Sequence, residues 1–169
     1  MEHMPIVSIR IRHLWDYWRH LCGAGQFPRR GDIDPARLGD VLPILFMIDI
    51  APDVAASRFR LVGTEFAASY GQDFTGCRLG DVNRHVRRDD VLNDYRRAAL
   101  GLPVRMRTQF VNDRGVNWRY ERILLPLADD GSGQTTLLGA FDAEIPRHEA
   151  IKLPPQTMRS RRAVTTGAR

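Results

Sequence analysis

Residues able to do chemistry are present in this chain but scattered. Asp32 and Asp34 form an Asp-x-Asp pair, a spacing found in cation sites and acid–base pairs. Structural roles account for both more simply. Asp34 stands before Pro35, where it can cap a short helix whose first position needs no donor. Asp32 has Arg30 and Arg19 as local charge partners, an arrangement that would fix the loop. Asp89, Asp90 and Asp94 share one helical segment and are expected on its wet face, one carboxylate helping the helix N-terminus. A haem-ligand reading would rest on His85 with no second supporting feature. Cys22 and Cys77 form no C-x-x-C pair, so neither a disulfide framework nor a zinc site is indicated. No serine sits in a nucleophile elbow, and there is no glycine-rich phosphate loop and no His-x-x-x-His pair. The expectation is a protein that is not an enzyme. A catalyst assembled in space from Tyr, Arg and Asp groups ranks last.

Charge narrows the class further. Of the net +5, all lies in residues 147–169, where Arg147, Lys152, Arg159, Arg161, Arg162 and Arg169 face only Glu149. The first 146 residues hold 19 basic and 19 acidic residues and are neutral. A broad nucleic-acid face needs clustered Lys and Arg to displace counterions, so the body does not offer one. The two separated cysteines fit a reducing cytosol. The longest apolar run, Val41 to Ile48, contains Pro43 and stops at Asp49, so it cannot span a bilayer.

The elements that must position any site follow from periodicity. Ile11, Leu14, Trp15, Trp18, Leu21 and Cys22 recur at steps of three and four, which predicts a helix ended by Gly23 and Gly25. Two tryptophans on its stripe require it to pack on the body, on a copy of itself, or on both. Ile44 to Ala51 and Ser57 to Thr64 read as an antiparallel pair. In the second strand Phe59, Leu61 and Gly63 alternate against Arg58, Arg60 and Val62, and Thr64 is placed to cap a helix through Tyr70. A helix from about Arg88 to Gly101 carries an apolar stripe of Val91, Leu92, Tyr95, Ala99 and Leu102. Strands follow at Val104 to Phe110, Trp118 to Leu125 and Thr136 to Ile145, the first pair joined at Asp113-Arg114-Gly115. Trp118, Tyr120, Arg122 and Leu124 share one face of the second of these strands, and Leu137, Gly139, Phe141 and Ala143 share one face of the third. The residues after Pro146 lack apolar periodicity and read as a basic, mobile tail. The expected division is therefore an N-terminal helix over 1–27, a domain over 28–146 and a tail over 147–169.

Several blocks sharpen this. Tyr17-Trp18-Arg19, Pro28-x-Arg30-x-Asp32-Ile33-Asp34-Pro35, Leu42-Pro43, Phe59 to Thr64, Tyr70-Gly71-x-Asp73-x-Thr75-Gly76 and Leu124-Leu125-Pro126-Leu127 resemble the PAS-like family common in alphaproteobacteria, over about residues 10 to 145. The resemblance implies an α+β, PAS-like fold: a five-stranded antiparallel sheet with short helices on one face and an N-terminal flanking helix. It also implies a stand-alone regulatory protein rather than a reaction. In such domains ligands sit between sheet and short helices, which puts any pocket among Phe46, Phe59, Leu61, Phe66, Tyr70, Phe74, Trp118, Tyr120 and Phe141. Simple core filling is the favoured role for the same residues. Cys77 invites comparison with flavin photosensor PAS domains, whose adduct-forming cysteine lies in an Asn-Cys-Arg context. Here Gly76 precedes it, and an idle thiol is the favoured reading.

The leading expectation is a stand-alone sensory or adaptor module that binds an unidentified signalling protein, with a small metabolite as a further candidate ligand. It would form a homodimer through the Trp15 and Trp18 helix, as PAS domains commonly do through flanking helices. The residues specify no cofactor and no metal. The alternative is a nucleic-acid- or membrane-associated protein in which the Arg-rich tail delivers the neutral body to an anionic surface.

Overall fold

The computed structural model describes residues 6–23, 25–82, 88–111 and 117–144, with backbone alone for 88, 108–111, 117, 118 and 144. His85, the Asp113-Arg114-Gly115 turn and the basic segment 147–169 lie outside the described residues.

Helix α1 (Ile9–Leu21) starts where the Ser8 hydroxyl accepts from the Ile11 N–H at 3.0 Å, satisfying one of the orphan donors of the first turn. Its apolar stripe buries Ile11, Leu14, Tyr17 and Trp18. After it, Asp34 caps a short 3-10 turn over Pro35–Leu38 by accepting from the Ala36 N–H at 2.9 Å, as its position before proline predicts. Asp32 is used differently from expectation. Its carboxylate accepts from the backbone N–H of Arg29 at 2.8 Å, closing a local turn without Arg30 or Arg19.

Strands β1 (Leu45–Asp49), β2 (Arg58–Val62), β3 (Val104–Val111), β4 (Asn117–Pro126) and β5 (Thr136–Glu144) form one antiparallel sheet in the order β2-β1-β5-β4-β3. Helices α2 (Thr64–Tyr70), α3 (Leu79–Val82) and α4 (Arg88–Ala99) fill the stretch between β2 and β3. Gly63, rather than Thr64, occupies the N-cap of α2, and no side chain caps that end. A Cβ at Gly63 would run into the Leu42 carbonyl oxygen and the Pro43 backbone, so only glycine lets β2 hand over to α2 this close to the Leu42–Ile44 turn.

Both faces of the sheet are buried. One carries Phe46, Ile48, Phe59, Leu124, Leu137 and Phe141 against Phe66, Phe74, Leu79 and the inner side of α4. The other carries Leu45, Ile123, Leu125, Leu138 and Ala140 against Ile11, Leu14, Trp18, Leu38 and Val41. The flanking helix therefore packs on the body, on the face opposite the short helices. Its indole N–H at Trp18 donates to the Pro126 carbonyl at 3.0 Å, and the Tyr17 hydroxyl accepts from the Asp34 N–H at 2.8 Å. Blocks far apart in sequence meet through these two contacts.

Alternation in β2 departs from expectation. Met47 opposes Leu61 while Ile48 opposes Phe59, so Arg60 is an extra residue on β2. Such a bulge reverses the side-chain order beyond it. Phe59 stays in the core at 2% exposure, Leu61 turns out to 44% exposure, and Val62 packs inward instead.

Candidate functional site

The space between sheet and short helices is where the family resemblance put any pocket, and rings occupy it. Phe46, Phe59, Phe66, Phe74 and Phe141 are buried, with Tyr70 and Tyr120 partly buried around them. Phe66 stacks on Phe141 at 4.7 Å between centroids and meets Phe74 edge-on at 5.0 Å; Phe74 meets Phe59 edge-on at 4.9 Å. Tyr120 lies 4.7 Å from Phe141, and Tyr70 lies 5.8 Å from it. These separations are those of favourable offset and T-shaped pairs. Gly139 belongs to the same arrangement: a Cβ there would overlap the Phe46 ring, so the bare backbone of β5 is the floor on which Phe46 lies.

One expected member is absent from this cluster. Leu61 is corrected to the surface, because the bulge at Arg60 rotates it out. The Trp118 side chain lies outside the described residues; its backbone opposes Phe110 in the β3–β4 ladder.

Beside the rings lies a polar group the sequence reading did not assemble. Arg122, on the inner face of β4, has its guanidinium 2.6 Å from the Asp94 carboxylate of α4 and 5.3 Å from the Tyr95 ring centroid. The pair is nearly dry, with the two side chains 7% and 17% exposed. Asp94, expected on the wet face of α4, thus faces the sheet. Burial pushes the Tyr95 hydroxyl up to about 12 and raises Tyr70 as well, so both phenols stay protonated and neutral near neutral pH. Arg122 Nε has no hydrogen-bond partner among the described residues.

A second polar group fixes the start of α1 on the opposite face. Glu121, 5% exposed, accepts from the Ser8 N–H at 2.9 Å and the Val7 N–H at 3.2 Å. Asp142 of β5 accepts from the Ser8 hydroxyl and from Arg10 Nη2, both at 2.5 Å. Arg10 also reaches Glu65 of α2 at 2.6 Å, so one guanidinium joins α1, α2 and β5. Its pKa is raised; burial opposes the rise and the two carboxylates outweigh it. A cleft of about 200 Å³ lies between α2 and β5, lined by Ile44, Glu65, Ala68, Ser69, Phe141, Asp142 and Ala143. That is below the roughly 300–1,000 Å³ usual for small-molecule pockets. The signal available for these carboxylates was a charged residue at an inward strand position, which alternation marks but cannot pair.

Cys77 is partly buried against the aromatic cluster as a free thiol, and its carbonyl accepts from the Phe59 N–H at 3.1 Å. Among the described residues no three His, Cys, Asp or Glu side chains could hold a metal ion. None of the described helices is long and apolar enough to cross a membrane.

The strand order, the helices between β2 and β3 and the flanking helix define a PAS-like architecture. The family model described as PAS domain matches residues 6–142, and the chain belongs to that family. No curated protein matches it. Among solved structures it is similar to a fungal LOV domain photoreceptor, at 18% identity and TM-score 0.47, over 76% of this chain and 89% of that one. It is also similar to the photo-excited blue-light photoreceptor Vivid, at 12% identity and TM-score 0.46, over 80% of this chain and 95% of that one. The PAS domain of an HTR-like protein from Haloarcula marismortui matches at 15% identity and TM-score 0.42, over 64% and 90% of the two chains.

Proposed function

We propose that this PAS domain is a non-enzymatic sensory and adaptor module of bacterial signalling that acts by protein–protein contact and relays its state through α1. The observation carrying the reading is the Arg10 bridge. Helix α2 lies over the aromatic cluster and α1 over the opposite face, yet Arg10 ties Glu65 of the first to Asp142 and the N-terminal turn of the second. A displacement of α2 has a direct charge contact through which to loosen α1.

Ring packing supports protein contact rather than a metabolite as the main input. A ligand between sheet and helices has to displace rings that already touch one another, and the cleft beside α2 has room for little more than a fragment. The test of the relay is Arg10→Gln, followed by amide hydrogen exchange. Loss of a partly exposed ion-pair network is worth about 1 kcal/mol, which is roughly fivefold in local opening. Exchange should quicken together in the first turn of α1 and in α2. Faster exchange in α1 with α2 unchanged would sink the relay.

The homodimer expected of the tryptophan helix needs a different footing. Trp18 is 4% exposed within one chain, so it is not available to a second. Trp15 is partly buried in its ring stack, and the exposed apolar residues of this region are Val7 and Ile9, 45% and 80% exposed, on which the proposed self-contact rests. Ile9→Ser should then turn a dimer into a monomer in sedimentation velocity with the circular dichroism unchanged. A dimer that persists, or a wild-type monomer, removes this contact.

A further inference from the structure

The other end of α1 opens onto a second surface. Leu100 and Leu102, at the turn after α4, are 80% and 51% exposed; Leu102, expected on the helix's apolar stripe, turns out because α4 ends at Ala99. Gly101 between them has φ +84° and lies against Phe27, where a Cβ would come within 3.3 Å of the ring. Phe27 stacks on Trp18 at 5.6 Å, Trp18 on Trp15 at 5.6 Å, and the Arg19 guanidinium sits 5.8 Å from the Trp15 centroid. Trp15 and Phe27 are only partly buried and flank the buried Trp18, and Gly101 against Phe27 brings the Leu100–Leu102 turn next to them, so the strip combines two distant chain segments.

Cations outnumber carboxylates beside this strip, where Asp16 next to Trp15 is the exposed acid. Arg19 lies over one end, and Arg96 and Arg97 stand one turn before Leu100 at the other, all three exposed. Arg10, Arg60, Arg105 and Arg122 each have a carboxylate within ion-pair distance, whereas Arg19, Arg96 and Arg97 have none among the described residues. We propose that the strip from Trp15 and Phe27 to Leu100 and Leu102 is the docking surface for an acidic, apolar-anchored segment of a partner protein. This rests on the adaptor reading above and adds the place and chemistry of the contact. Half-buried aromatics and exposed leucines supply anchors, and three uncompensated cations supply the sign. A second copy fits less well, because a two-fold contact would set the same cations against themselves. An anionic membrane also fits less well, because the three arginines beside the strip fall short of the roughly 4–8 clustered Lys or Arg that read as a lipid-binding surface.

The experiment uses the full chain to select binders from a phage-displayed random peptide library. The proposal expects enrichment of peptides that mix Asp or Glu with Leu or Phe. Their affinity should fall about tenfold or more in the Leu100→Ser/Leu102→Ser variant. The Arg96→Glu/Arg97→Glu variant should instead select Lys- or Arg-bearing peptides. All four positions are exposed, and unchanged circular dichroism confirms the fold of each variant. Peptides that bind both variants as well as the parent overturn this surface while leaving the adaptor reading standing. No enrichment at all overturns both. Binding to vesicles of mixed neutral and anionic phospholipid that is lost in the same variants replaces the peptide partner with a membrane and overturns the proposal.

Discussion

Asp94→Ala should destabilise the protein by about 3–5 kcal/mol in urea denaturation, because it leaves the Arg122 guanidinium buried without its countercharge. The cation cannot turn to water: its side chain is 7% exposed and lies over the Tyr95 ring between α4 and β4. Nor is it fully satisfied in the native pair, since Nε finds no hydrogen-bond partner among the described residues. The cost therefore reflects desolvation of a stranded charge more than the strength of the pair itself. Replacing both partners by apolar residues of similar volume, Asp94→Leu with Arg122→Met, should recover most of the loss. A loss below about 1 kcal/mol in Asp94→Ala would show that water reaches Arg122 and that the pair is not a core element.

Trp18→Ala should cost a similar amount, about 3–5 kcal/mol, through the cavity left under α1. The indole is the middle ring of the Trp15–Trp18–Phe27 stack and joins α1 to the end of β4 through Pro126. Trp18→Phe separates the two contributions. It keeps most of the apolar contact and gives up the indole hydrogen bond, for which about 1 kcal/mol is expected beyond the loss of ring area. The same urea titration reads both variants. If Trp18→Ala leaves the midpoint unmoved, α1 is not docked on the sheet and the two-faced core is wrong.

Much of this fold was legible because periodicity reports local geometry. The alternation along β4 and β5 and the Asp34-Pro35 helix start appear as predicted from neighbouring residues, as does the α1 stripe at Ile11, Leu14 and Trp18, to which the structure adds Tyr17. What escaped depends on partners far away in the chain. The bulge at Arg60 exists only in the register between β1 and β2, so Arg58 to Val62 by themselves gave no warning that Leu61 would face out. Asp94 sits next to the buried positions Val91, Tyr95 and Ala98, at the edge of the helical stripe, and Arg122 decides that it turns inward. The aromatic cluster was found by position in the fold. Core filling was the favoured role of the same rings; which of them meet was not legible, because rings that could line a cavity can also close it.

The bulge has a consequence for how the sheet meets other chains. Beyond it, β2 does not present a free ladder of backbone groups: Phe59 exchanges hydrogen bonds with Gly76 and Cys77, Ser57 accepts from the Leu79 N–H, and Arg58 bridges to Arg78. Arg60 stands beside this edge, paired with Asp49 at 2.6 Å. A kinked, charged edge already engaged by its own chain is a poor template for a foreign strand. Growth of the sheet by strand addition is thereby confined to its other border, β3, where the partly exposed Arg105 and exposed Arg107 stand as charged guards.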